Sequence, residues 1–181
     1  MTTIAIRPLR ADDSLEALTA LLHAAYASLA AQGWNFTAVD QSVEVTRERV
    51  SQGQAFVAEV DGRLVGTIAM SPPKPADGRY LRDPVPDAYT QPGTAILAQL
   101  AVHPALRGQG LAERLMDTAE CWAAEQGYTH VALDTAKPAE ALQRRYARRG
   151  YVEVGAVQWA GKTYSSVVMV KALAMSAAAP Q

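Results

Sequence analysis

The chain has 181 residues, 49% of them hydrophobic and 19% charged, with 17 basic side chains against 18 acidic ones. That length supports one ordinary domain whose core needs no disulfide or structural metal, and a charge near zero argues against a nucleic-acid partner, whose phosphates demand a basic face. The lone Cys121 excludes an intramolecular disulfide, and no run reaches the roughly 18 apolar residues of a membrane span or the apolar core of a signal peptide, so the expectation is a cytoplasmic protein without membrane contact.

Residues 4–8 read as a short first strand. From Ser14 onward, Leu15, Leu18, Leu22, Tyr26 and Leu29 recur at helical spacing, which predicts a helix with one buried face that ends at Gly33. Trp34 and Phe36 follow in a connector, and residues 41–51 suit a second, more polar helix. The apolar runs 55–60 and 64–70 flank Asp61-Gly62, a hairpin signal because glycine tolerates the positive φ of a tight turn. Residues 72–92 hold six of the ten prolines. Proline lacks an amide hydrogen, so this stretch is expected to form no regular helix or central strand; loops of this length tend to be lids or binding segments.

Residues 95–102 are nearly continuous in apolar character, as a strand buried on both faces would be. The pattern then predicts a helix over 108–126 with Leu111, Leu115, Ala119 and Trp122 on its inner side, a stop at Gly127, and a strand over 129–133. Pro138 fits the first turn of the next helix, Gly150 closes that helix, and 151–157 and 164–170 are the last strands. Residues 172–181 read as a disordered tail, which leaves a single domain over 1–171. Strands joined at Asp61-Gly62 and near Gly161-Lys162 should pair antiparallel, and the strand–helix–strand unit over 95–133 should be parallel with a right-handed crossover.

The segment with the most chemistry lies between that buried strand and its helix, where Val102-His103-Pro104 leads into Arg107-Gly108-Gln109-Gly110-Leu111-Ala112. A helix start presents unpaired amides and the positive end of a dipole, which suits a pyrophosphate. Gly108 and Gly110 let a phosphate approach the backbone, Ala112 keeps the helix close, and Arg107 adds positive charge. A dinucleotide fingerprint fails because Glu113 stands where glycine or alanine is required, and a Walker loop fails for want of Gly-Lys-Ser/Thr. A glycine-rich turn without any ligand is the plain alternative.

Arg107-x-x-Gly110-x-Ala112, directly after Val102-x-Pro104, resembles the acyl-CoA signature Gln/Arg-x-x-Gly-x-Gly/Ala of the GNAT superfamily of N-acetyltransferases. The order of elements over residues 4–171 is similar to that family's as well. The resemblance implies an α/β fold with a mixed, mostly antiparallel sheet of about seven strands, flanked by about four helices, in which a splayed parallel strand pair opens an acyl-CoA slot. It implies acetyl-CoA as cofactor, with the backbone of Leu100, Ala101 and Val102 pairing with the pantetheine arm. Arg107, Gly108, Gln109, Gly110, Leu111 and Ala112 would then hold the pyrophosphate.

Tyr146-x-x-x-Gly150-Tyr151 matches a second GNAT pattern, in which the tyrosine hydroxyl protonates the departing thiolate; a phenol that stays neutral at working pH suits that task. The alternative is a partly buried helix residue without a chemical role. Two departures stand out. The strand over 95–102 carries no carboxylate, and Lys137-Pro138-Ala139-Glu140 holds no asparagine, so the general base is unassigned, with water or a distant Glu44 as candidates.

For the amine acceptor, a small molecule or peptide, the candidates are Tyr26, Trp34, Phe36, Tyr89 and Trp159; Tyr26 alternatively belongs to the core and Trp159 to a hairpin cap. His23, His103 and His130 have no metal-ligand spacing, and no metal is expected. His103 should face solvent, Cys121 should be a small core residue, and Arg144, Arg145, Arg148 and Arg149 should form a solvated helix face. A non-catalytic acyl-CoA sensor and a protein or peptide N-acetyltransferase are the competing functions, and self-association as a homodimer is left open.

Overall fold

The Asp61-Gly62 pair does what its chemistry allows: both residues take positive φ, 49° and 76°, and the chain reverses between β2 (Gln54–Val60) and β3 (Arg63–Ser71). In the computed structural model, which describes residues 3–76 and 85–174, this hairpin is extended by β1 (Ala5–Pro8), antiparallel to β2. The remaining strands are β4 (Thr94–Val102), β5 (His130–Ala136), β6 (Val152–Val157) and β7 (Ser166–Ala172). The seven strands are hydrogen-bonded in the order β1-β2-β3-β4-β5-β7-β6. β4 and β5 are the parallel pair, as the crossover helix between them requires, and their register runs from Thr94↔His130 to Ile96↔Ala132 while both strands continue beyond it.

Two compact units share the chain: residues 1–71 with 97–119, and 72–96 with the chain from 120 onward. In the first, α1 (Leu15–Ala30) starts at Ser14, whose side chain accepts from the Ala17 amide, and it buries Leu18, Leu21 and Leu22. Leu18 and Leu21 pack with Val57 of β2, whereas Leu22 and Ala25 pack with Ala38 and with Ala101 of β4. The second helix, α2 (Val43–Ser51), is capped by Ser42 and buries only Thr46, in keeping with its polar sequence.

In the second unit, β5 pairs with β7 over its full length and β7 with β6, so β5 is held on one side by seven residue pairs. Alternation along β5 sends Val131, Leu133 and Thr135 to one face and Ala132, Asp134 and Ala136 to the other. On the Ala132 face, Tyr89, Ile96 and Val168 form a buried cluster.

Several element boundaries depart from expectation. The crossover helix α4 is Leu111–Glu125, three residues later than expected, because Gly108 and Gly110 take positive φ, which a right-handed helix cannot contain. Its inner stripe continues through Ala123, fully buried, and Trp122 sits beside it half-buried. Helix α5 is Glu140–Arg148, so Pro138 lies ahead of the helix and Ala139 is the cap. Within the proline-rich stretch, the proline-free Asp87–Thr90 completes one helical turn, α3; residues 77–84 lie outside the described residues. β7 runs on to Ala172, whose successor Leu173 donates its amide to the Thr129 carbonyl at 2.8 Å, and residues 175–181 of the expected tail also lie outside the described residues.

Candidate active site

β4 is buried without interruption from Thr94 to Leu97 and then alternates. The change coincides with Gln99, which takes φ of +59°, a left-handed conformation that costs a non-glycine residue about 1–3 kcal/mol. The surroundings hold it there. The Gln99 and Gln41 side-chain amides exchange two hydrogen bonds of 3.0 Å, Gln41 also donates to Thr46 at 2.7 Å, and His23 Nε2 lies 2.8 Å from the Gln41 carbonyl oxygen. This buried polar lock sets the direction in which β4 leaves toward Leu100, Ala101 and Val102. Tyr26 donates its hydroxyl to the Leu100 carbonyl at 3.0 Å, Ala101 is buried against α1, and Val102 is half-buried.

Beyond β4 the backbone turns at His103, whose exposed ring accepts the Ala105 amide through Nδ1 at 3.2 Å. Gly108 and Gly110 then take φ of +76° and +74°, and a Cβ at either position would meet no atom within 4 Å, so the turn is both left-handed and open. The hydrogen bond from the Arg114 amide to the Gly110 carbonyl opens α4, and the amides of Leu111 and Ala112 precede it without a carbonyl of the helix to meet. Such a start to a 15-residue helix has the chemistry that suits an anion. The Leu111 side chain is buried, so only its amide is available, while Gln109 is exposed and Ala112 half-buried. Arg107 sends Nη2 to the Ala25 carbonyl of α1, 2.5 Å away, and so anchors the turn to that helix.

In the other unit, Tyr146 is a buried residue of α5 and meets Tyr151 edge-on, ring centroids 6.0 Å apart. Tyr151 donates to Glu120 Oε1 at 2.9 Å; burial, with the Glu120 carboxylate next in weight, pushes its hydroxyl far above the ordinary phenol value. Arg149 and Lys171 reach Glu120 Oε2 at 3.1 and 2.6 Å. Arg149 therefore belongs to a buried ion cluster and leaves the solvated face expected of it, whereas Arg144 stays outside, paired with the exposed Glu140. Cys121 overturns its expectation too. It is exposed on the outer side of α4, and the Glu125 carboxylate beside it holds its thiol above the ordinary value, which makes it a poor nucleophile.

The acceptor candidates separate by unit. Tyr26 and Phe36 meet edge-on at 5.7 Å, and Trp34 follows the end of α1, half-buried. In the other unit Trp159 and Tyr89 lie 6.4 Å apart and converge on one carboxylate: Tyr89 donates to Asp134 Oδ1 at 2.5 Å and Trp159 Nε1 to Oδ2 at 2.9 Å. Sequence reasoning passed over Asp134. Its signal was a single carboxylate directly after Val131-Ala132-Leu133, a run fit for a core strand. Glu44, weighed as a distant base, lies in the first turn of α2, where hydrogen bonds from its own amide and from Ser42 hold its carboxyl below the ordinary value.

Among the described residues no group of histidine, cysteine, aspartate and glutamate could hold a metal, and no helix is long and apolar enough to cross a membrane. The chain is 31% identical over 106 residues to N-acetyltransferase 8F1 of Rattus norvegicus, a match that covers 58% of this chain and 42% of that protein. Its fold is similar to that of the ribosomal-protein-S18-alanine N-acetyltransferase from Escherichia coli, with a TM-score of 0.70, 16% identity, and 99% of each chain covered. It is similar as well to the PaiA N-acetyltransferase from Thermoplasma acidophilum in complex with coenzyme A, with a TM-score of 0.69, 17% identity, 94% of this chain and 99% of the other. The model of the Acetyltransferase (GNAT) family matches residues 16–151, a span that holds β4, the glycine turn, α4 and Tyr146, and the chain belongs to that family.

Proposed function

We propose that the protein is an acetyl-CoA-dependent N-acetyltransferase that moves an acetyl group by direct transfer to an amine of a small molecule or peptide. The observation that carries the reading is the turn between β4 and α4, where two open, left-handed glycines precede helix amides that have no intrahelical partner. Those features fit a pyrophosphate. The coenzyme A held by the Thermoplasma acidophilum neighbour and the name of the rat relative support the same assignment.

In this reading the amides from Gly108 to Ala112 take the phosphates, and the backbone of Leu100, Ala101 and Val102 pairs with the pantetheine arm. Bound acetyl-CoA supplies the thioester carbonyl that the amine attacks. An amide of β4 polarises that carbonyl as charge develops on its oxygen. The buried Tyr146 gives its hydroxyl proton to the leaving sulfur, and the proton that the attacking amine loses goes to water. Tyr26, Trp34, Phe36 and Trp159 are the side chains proposed to meet the acceptor. The activity is assigned to residues 1–171 as one domain, and the free thiol of Cys121 suits work in a reducing cytoplasm.

Calorimetric titration of acetyl-CoA into the full chain and into a Gly110→Glu variant tests the cofactor site. Binding by the parent, with affinity reduced about a hundredfold or more in a variant that still folds by circular dichroism, is the expected result. No binding by the parent overturns the reading. Binding without thiol release in the presence of any amine replaces the enzyme with an acyl-CoA sensor.

A further inference from the structure

Asp134 differs from three other carboxylates that the fold draws away from solvent, Asp13, Glu59 and Glu120. Asp13 and Glu59 share Arg7, and Glu120 takes both Arg149 and Lys171. Asp134 is half-buried and has two neutral donors, Tyr89 and Trp159, but among the described residues no lysine or arginine pairs with it. Two neutral hydrogen bonds orient a carboxylate without cancelling its charge, and a desolvated charge without a counter-ion is costly. Each oxygen keeps a lone pair after accepting its one bond. The rings that supply the donors lie 6.4 Å apart with their planes tilted by 35°; Tyr89 is buried and Trp159 half-buried, so Trp159 offers the accessible apolar surface beside the carboxylate.

The position along β5 matters as well. Asp134 lies two residues past Ala132, the last residue in register with β4, and on the face of β5 opposite Leu133. It follows the parallel ladder and precedes α5, the helix that carries Tyr146.

We propose that Asp134, Tyr89 and Trp159 form the recognition site for the acceptor's ammonium group, which makes the acceptor a primary amine on an apolar, preferably aromatic, skeleton. The proposal rests on the N-acetyltransferase reading and supplies its acceptor side. The incoming cation provides a counter-charge that no described lysine or arginine provides, the Asp134 carboxylate accepts its N–H, the half-buried Trp159 ring packs against the adjoining carbon chain, and the nitrogen gives a proton to water before it attacks. A purely structural Asp134, tying α3 and the β6–β7 connection to β5, would instead be indifferent to the charge of a ligand.

The test is calorimetric, on the full chain loaded with coenzyme A so that no turnover intervenes, with 2-phenylethylamine and its neutral analogue 2-phenylethanol as probes. The parent should bind the amine at least about tenfold more tightly than the alcohol, a margin that a charge-assisted hydrogen bond supplies. Asp134→Asn should bring the two affinities within about twofold, Asp134→Glu should retain the preference, and Tyr89→Phe, which keeps the charge, should weaken it only a few-fold. Coenzyme A binding in the same samples reports on folding and on the cofactor site. A parent that binds coenzyme A without preferring the amine, or an Asp134→Asn variant that keeps the preference, overturns this site and leaves the acetyltransferase reading standing. A parent that binds no coenzyme A overturns both. Should Asp134→Asn fail to fold, the decision passes to Asp134→Glu: loss of preference in a folded variant with its charge intact overturns the proposal.

Discussion

Glu120 and Asp134 are both carboxylates in the second unit, and they belong to opposite faces of the β5–β7 ladder. Lys171, which pairs with Val131 in the register, points its amine to Glu120, whereas Asp134 shares its face with Ala132 and Val168. Glu120 is saturated: Tyr151, Arg149 and Lys171 occupy it, and its side chain is 10% exposed. Asp134 is oriented by two neutral donors and left with its charge. Where every charge is answered inside the fold, the carboxylate holds elements together; where the fold answers only the hydrogen bonds, the charge remains for something that arrives. The difference separates a structural use of an acid from a recognitive one, within one small sheet.

Substitution at Glu120 should break this contrast from the structural side. Glu120→Ala leaves two cations and a buried phenol without their common partner and should destabilise the protein by about 3–5 kcal/mol, read as a shifted urea midpoint. A shift comparable to that of Asp134→Asn would mean that the two acids do the same job. Tyr146→Phe sharpens the comparison, because Tyr146 packs on Tyr151 and thus on the Glu120 side. Turnover should fall about a hundredfold with acetyl-CoA affinity unchanged; a lowered melting temperature with normal turnover would assign Tyr146 to the structural cluster instead.

A smaller effect is expected at Asp13, the saturated acid of the first unit. Hydrogen bonding to Arg7 is the main cause that holds its carboxyl below the ordinary value. The folded form thus gains stability that is complete above the ordinary aspartate range and is lost as pH falls through the lowered value. Asp13→Asn should flatten part of the decline in melting temperature between about pH 5 and about pH 2. An unchanged acid profile would remove Asp13 from the group of saturated carboxylates.

Much of this was legible in the residues. Asp61-Gly62 marked its hairpin because few residues accept two successive positive φ angles, and Arg107-x-x-Gly110-x-Ala112 marked a turn whose geometry depends on glycine. Legibility failed where identity and environment part company. Cys121 looked like a core residue by type, yet the helical phase of α4 puts it outside. Arg149 looked like one of four surface arginines, yet it ends α5 where Glu120 can be reached. Gln99 carries no local signal of its left-handed backbone, which depends on Gln41, a residue 58 positions away.

Local sequence was enough for the order of elements apart from α3, for the hairpin, for the glycine turn before α4 and for the family resemblance, because periodicity and the special geometry of glycine and proline act over a few neighbouring residues. Tertiary structure alone decided which charges are answered. Tyr89, Asp134 and Trp159 are far apart along the chain, as are Glu120, Tyr151 and Lys171. Only the register of β5 with β7, and the side of the sheet to which each residue is turned, makes one carboxylate a clasp and leaves the other with its charge.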